Sequence, residues 1–121
     1  MIHPNVRKAL VEIIESLQPG IAYSRLQSDF QEHLPAILVK AEQNDGDYLA
    51  THRVQLEYYH QDMNDCEDLA RTIEAHLMNA PHQTSVGMID SVRRETNLRE
   101  IPYTEQVVMY TSSVFVDTRC I

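Results

Sequence analysis

The chain has 121 residues, 43% hydrophobic and 23% charged, with a formal net charge of −8; this is the composition of one globular domain able to bury one core. It excludes intrinsic disorder, and no run of about 18 apolar residues is present to cross a bilayer. Excess acid also argues against a surface that grips nucleic acid, because phosphate contacts need clustered Lys and Arg.

In chain order, Pro4 followed by Val6, Leu10, Ile13, Ile14 and Leu17 has the spacing of an amphipathic helix, which Pro19-Gly20 stops. A short strand is expected at 21–24, and the polar stretch through His33 reads as loop or a short helical turn. Ala36-Ile37-Leu38-Val39-Lys40-Ala41 is short and rich in branched residues, so it predicts a strand buried on both faces at its start. Asn44-Asp45-Gly46-Asp47 is turn chemistry, which makes an antiparallel hairpin of this strand and the next. In that next strand Val54, Leu56 and Tyr58 alternate with Arg53, Gln55 and Glu57.

Cys66, Leu69, Ala70, Ile73, Leu77 and Ala80 then recur at spacings of three and four, the stripe of a second helix. Asn64 with Glu67 has capping-box spacing, Asp65, Glu67 and Asp68 suit the positive end of the helix dipole, and Pro81 forbids continuation. Residues 81–84 read as a connection. Residues 86–100 alternate weakly and are polar, as an edge strand or extended arm would be. After a turn region at 102–106, the β-branched and aromatic run 107–116 predicts an interior strand. The whole is an α+β domain: a mostly antiparallel sheet of four to five strands, two helices on one face and an extended closing hairpin.

The search for chemistry returns little. His52 and His60 are too far apart on one strand to share a metal ion, and His76 and His82 are split by Pro81, so these histidines read as surface or rim residues. Asp62-Met63-Asn64 begins like a calcium loop, but Cys66, Glu67 and Ile73 stand where further ligands, the turn glycine and the closing Glu belong. Cys66 lies on the apolar stripe and reads as core, Cys120 as a terminal residue, and the pair makes no disulfide framework, so a reducing compartment is expected. Met1-Ile2-His3-Pro4 lacks the pattern of a signal peptide. The three glycines form no phosphate loop. Tyr58, Tyr59 and Tyr110 have the aromatic character that stacks bases, but without a basic groove they read as core or interface. Tyr58, His60 and Asp62 form the one polar cluster near a topological edge, the place a small enzyme or ligand-binding domain would use. No catalytic, cofactor or metal residue is assigned. Arg93-Arg94 with Arg99, diluted by Glu95 and Glu100, is the one local basic group and reads as a solvated hairpin face.

The order Leu34-Pro35-Ala36-Ile37-Leu38-Val39, a turn at Asp45-Gly46, Arg53-Val54-Gln55-Leu56-Glu57-Tyr58 and a helix opening at Glu67-Asp68-Leu69-Ala70 resembles the tail terminator proteins of long-tailed bacteriophages. The helix exit Leu17-Gln18-Pro19-Gly20-Ile21 agrees, and residues 88–93, a proline-bearing stretch and 107–116 are similar to that family's closing hairpin. The likeness covers nearly the whole chain as a pattern of elements rather than a diagnostic motif, and the chain carries Gly46 alone where the family's hairpin often has more glycine.

What the resemblance implies is a single-domain structural virion protein, not an enzyme. Such proteins form a ring, of six copies, on the head-proximal end of the tail tube and stop its polymerisation. They also offer the surface that joins the tail to the head. The implied partners are further copies of the chain, the major tail tube protein and a head-completion or neck protein. Assembly takes place in the host cytoplasm, with no membrane involved. Genome DNA would pass the lumen without specific binding, which an acidic wall favours. Under this reading Asp45, Asp47, Arg93, Arg94, Glu95, Arg99 and Glu100, on polar loops and an edge strand, are the expected subunit and tube contacts. The alternatives are a head-tail connector or neck protein and, from another class, a small ligand-binding domain or enzyme.

Overall fold

The computed structural model describes residues 5–41 and 51–119, and Asp45 and Asp47 lie outside them. The first helix, α1 (Val6–Leu17), starts at Asn5, whose side chain accepts from the Lys8 backbone N–H at 3.2 Å. It buries Val6, Ala9, Leu10, Ile13 and Ile14. Its exit turns at Gly20, whose φ of 85° is one that a residue with a Cβ rarely adopts. Strand β1 (Ala22–Tyr23) follows, and a single 3-10 turn, Phe30–Glu32, leads into β2 (Ala36–Ala41).

Strand β3 (Thr51–His60) runs antiparallel to β2 and delivers the chain into α2 (Met63–Met78). Two short corrections to the sequence reading fall here. The cap of α2 is Asp62, not Asn64: its carboxylate accepts from the Asp65 N–H at 2.9 Å, and Asn64 sits inside the first turn. Residues 82–84 are not a bare connection but a strand, β4 (His82–Thr84), hairpinned onto β5 (Gly87–Ile101). With β4 the sheet has six strands, and β6 (Val108–Thr118) lies in its interior as its β-branched sequence predicts.

The strand order is β1-β2-β3-β6-β5-β4, antiparallel except for the β1–β2 pair. Both helices lie on one face. Helix α2 packs across β3, β6 and β5, whereas α1 touches β1 and β2 at one end of the sheet and β4 at the other. The sheet therefore curls until both of its ends reach α1. Two α1 carboxylates fasten it there: Glu12 accepts from the N–H and hydroxyl of Ser85 at 2.9 and 2.6 Å, and Glu15 accepts from the N–H groups of Gly20 and Ala22. The Ser85 bonds hold the Glu12 carboxyl below its ordinary pKa.

Two clusters make the core. The larger lies between helices and sheet and includes Leu10, Ile14, Ile37, Val54, Leu56, Tyr58, Ile73, Leu77, Val114 and Val116. The smaller, Ala36, Leu38, Tyr59, Val107 and Met109, lies on the opposite face at one end, where Leu26, Phe30 and Leu34 fold over it. Tyr59 meets Phe30 and Tyr103 edge to face there, with centroids 5.1 and 5.4 Å apart, and Phe30 and Tyr103 lie tilted at 6.2 Å. Apart from Phe115, the rest of the described face is mostly polar.

The cap assignment predicts a clean difference between two alanine substitutions. Asp62→Ala is expected to cost about 1 kcal/mol and Asn64→Ala no more than about 0.5 kcal/mol, read from urea unfolding midpoints. The reverse order would restore Asn64 as the cap.

Candidate functional site

The surface with the most organised chemistry is the uncovered sheet face and the edge of β5 that borders it. On β3 the helix side carries His52, Val54, Leu56 and Tyr58, and the alternate residues Arg53, Gln55, Glu57 and Tyr59 face the other way. Register carries this sorting onto β6, where Thr111, Ser113, Phe115 and Asp117 share the uncovered face.

Charges there are paired in a lattice across strands. Lys40 on β2 meets Glu57 on β3 at 3.0 Å, and the buried Glu57 carboxylate also accepts from the Tyr59 hydroxyl at 2.8 Å. Arg53 on β3 reaches across to Glu95 on β5 at 2.5 Å. Arg93 on β5 holds Asp117 on β6 with two nitrogens, at 2.9 and 3.1 Å, and lies over the Phe115 ring. Asp117 accepts further from Ser91 and Thr51. The Arg93 guanidinium and these two hydroxyls hold the Asp117 carboxyl down at about 2.

The expected contact residues of β5 are thereby placed, and they do not form one patch. Arg93, Glu95 and Arg99 belong to the uncovered face. Arg94 turns to the helix side, 3.5 Å from Glu74 of α2, and Glu100 is opposite Tyr110 of that same side. Beyond the three residues paired with β4, the outer edge of β5 over 90–101 pairs with no strand among the described residues, so the polar stretch is an edge strand that lies in the sheet. Its register against β6 shifts three times, at 89–91, 94–96 and 96–99. Such bulges bend an edge and break the even ladder on which strands stack indiscriminately.

Glu74 is the residue that sequence reading missed. It is 2% exposed, its Oε2 has no hydrogen-bond partner among the described residues, and the buried Tyr58 hydroxyl and Ser112 Oγ are likewise unpartnered there. Burial first, then the Glu74 carboxylate, pushes the Tyr58 hydroxyl well above its ordinary pKa. The signal was present: Glu74 stands four residues after Ala70 and three before Leu77, on the buried stripe.

Other candidates resolve plainly. The expected polar cluster dissolves, because Tyr58 is in the core, His60 Nδ1 accepts from the Gln61 and Asp62 N–H groups, and Asp62 caps α2. The calcium-like stretch is the first turn of a helix. Tyr59 and Tyr110 are buried as well. The Cys66 thiol donates to the Tyr58 carbonyl at 3.5 Å and is pushed up to about 11 by burial. His76 and His82, separated in sequence by Pro81, come together with ring centroids 5.5 Å apart, and His82 Nε2 bonds the Leu77 carbonyl at 2.9 Å. Asp29, Glu32 and His33, which the sequence reading did not single out, hold one ligand atom each within 4.8 Å, all exposed, with His33 Nε2 3.3 Å from Asp29 Oδ2. No described helix is long and apolar enough to cross a membrane.

The fold is thus an α+β domain, a curled and mostly antiparallel sheet with both helices on one face. No protein-family model matches the chain, and no curated protein matches it.

Asp117 gives the surface a pH signature. Its folded pKa lies below the ordinary value of 3.8, so its contribution to stability is present above about pH 4 and is lost as pH falls toward 2. Asp117→Asn is expected to be less stable than wild type at pH 7 and to show a shallower loss of urea midpoint between pH 4 and 2. Parallel acid limbs would remove Asp117 from that role.

Proposed function

We propose that this protein is a structural virion component of the tail-terminator type. In this reading it forms a ring on the head-proximal end of a phage tail tube, halts tube growth and offers the surface to which the head or neck joins. The observation that carries the reading is the bulged edge of β5 over residues 90–101, open among the described residues, beside a sheet face of interlocked charges. A neighbouring subunit adds to such an edge without burying unpaired backbone, and mixed charge fixes its register. The order of elements, with a closing hairpin of long strands, supports the same reading. So does the net charge of −8, which in a ring makes an acidic wall along which DNA slides. The activity is assembly rather than catalysis, and the partners are further copies of the chain, the tube protein and a head-completion or neck protein. Asp45 and Asp47 remain proposed contacts by sequence alone.

The test is negative-stain imaging of tail tubes polymerised with and without the protein. Tubes of limited length with a ring at one end are expected. Unchanged, uncapped tubes would reject termination, and rings found instead on filled heads would make it a neck protein. Arg93→Glu is the informative variant and is expected to weaken capping. It also sets a carboxylate beside the part-exposed Asp117, so it is assayed under conditions where its unfolding midpoint shows it folded. Arg94→Glu is not, because it would set two carboxylates together at buried Glu74 and test folding instead.

A further inference from the structure

Within the uncovered face, between β3, β6 and β5, lies a recess of about 180 Å³ whose lining includes Arg53, Gln55, Thr96, Arg99, Thr111 and Ser113. Its donors outnumber its acceptors. Among the described residues Arg99 is the strand charge on this face without an opposite charge, whereas Lys40, Arg53 and Arg93 each hold a carboxylate. Its guanidinium carries five N–H donors and no acceptor.

The hydroxyls add to the excess. Thr96 Oγ1 and Ser113 Oγ share one hydrogen bond at 2.9 Å, and Thr96 Oγ1 also accepts from the Ser113 N–H. Two hydroxyl protons serve one bond, so whichever oxygen donates, the other keeps a proton to offer outward. Thr111 spends its own proton on the Leu56 carbonyl, and the Gln55 amide donates to Glu57 and Thr111. A recess with a free guanidinium, a spare hydroxyl proton and a second arginine at its wall is complementary to a carboxylate.

We infer that this recess receives a carboxylate side chain from a second copy of the chain, docked beside the open edge of β5. This rests on the ring-forming reading and names the contact within it. The occupant follows from charge: the chain has 18 acidic residues against 10 Lys and Arg, so each copy brings unmatched carboxylates to its neighbour. The recess also adjoins the long β5 edge, open among the described residues, which places the neighbour's backbone and its acid on the same side.

Arg99→Lys converts the site into its own probe. A carbodiimide joins an amine to a carboxylate that touches it, so the full-length variant, assembled on tail tubes from equal amounts of isotopically heavy and light chains, is expected to give heavy–light links from position 99 to one acidic residue. Links only within single chains, or links between chains that avoid position 99, would overturn the assignment. Arg99→Glu is expected to weaken subunit association at least about tenfold, with an unchanged thermal unfolding midpoint because the side chain is exposed. Rings of Arg99→Glu that form at wild-type concentrations would reject the recess and leave the ring standing; a wild-type protein that forms no rings would reject both. Inorganic phosphate that broadens in the phosphorus spectrum with wild type but not with Arg99→Glu, while association is unaffected, would assign the recess to a free oxyanion and overturn the subunit contact.

Discussion

Pairing of β3 with β6 is the constraint from which the rest follows. Every residue of β3 has a partner in β6, from Thr51 with Asp117 to His60 with Val108. Because side chains alternate with a period of two, this register decides at one stroke which residues face the helices. A slip of one position would carry Arg53, Gln55 and Glu57 into the interface with α2 and expel Val54, Leu56 and Tyr58. Helix α2 then has a single place to lie, and the curl of the sheet brings α1 against both ends.

Electrostatics on the two faces are organised differently. On the uncovered face, water is near; the ion pairs Lys40–Glu57 and Arg93–Asp117 join neighbouring strands and Arg53–Glu95 reaches from β3 over β6 to β5, so each is weak alone but together they favour one alignment. On the covered face the Glu74 carboxylate is buried and meets Arg94 at 3.5 Å from the edge strand. That contact ties β5 to α2 across the core. It also separates two adjacent arginines into different tasks, with Arg93 facing outward and Arg94 turned toward the helix.

Much of the fold was legible because its periodicities are clean. The stripe from Cys66 to Leu77, the alternation of 53–58 and the β-branched run at 107–116 each specified an element and the face it buries. Strand β4 was not legible, since His82-Gln83-Thr84 is three residues long and polar, and its pairing depends on a turn whose partner lies in β5. The cap shifted from Asn64 to Asp62 because both have capping side chains and the chain's path out of β3 decides between them. For the candidate site, sequence gave the polarity of 90–100 but not its sidedness. Three bulges in β5 break the simple alternation, so the split of Arg93 and Arg99 from Arg94 and Glu100 needed the register. Pairing across strands, such as Arg53 with Glu95, joins residues 42 positions apart and leaves no local trace.

In the proposed assembly, contact falls on β5 and spares the frame that holds it. Amide hydrogen exchange, followed by mass spectrometry on the free protein and on the protein bound to tail tubes, measures this directly. Slow exchange is expected in β3 and β6 in both states, with new protection over residues 90–101 on binding. Protection that appears instead on the outward sides of α1 and α2, with 90–101 unchanged, would contradict it.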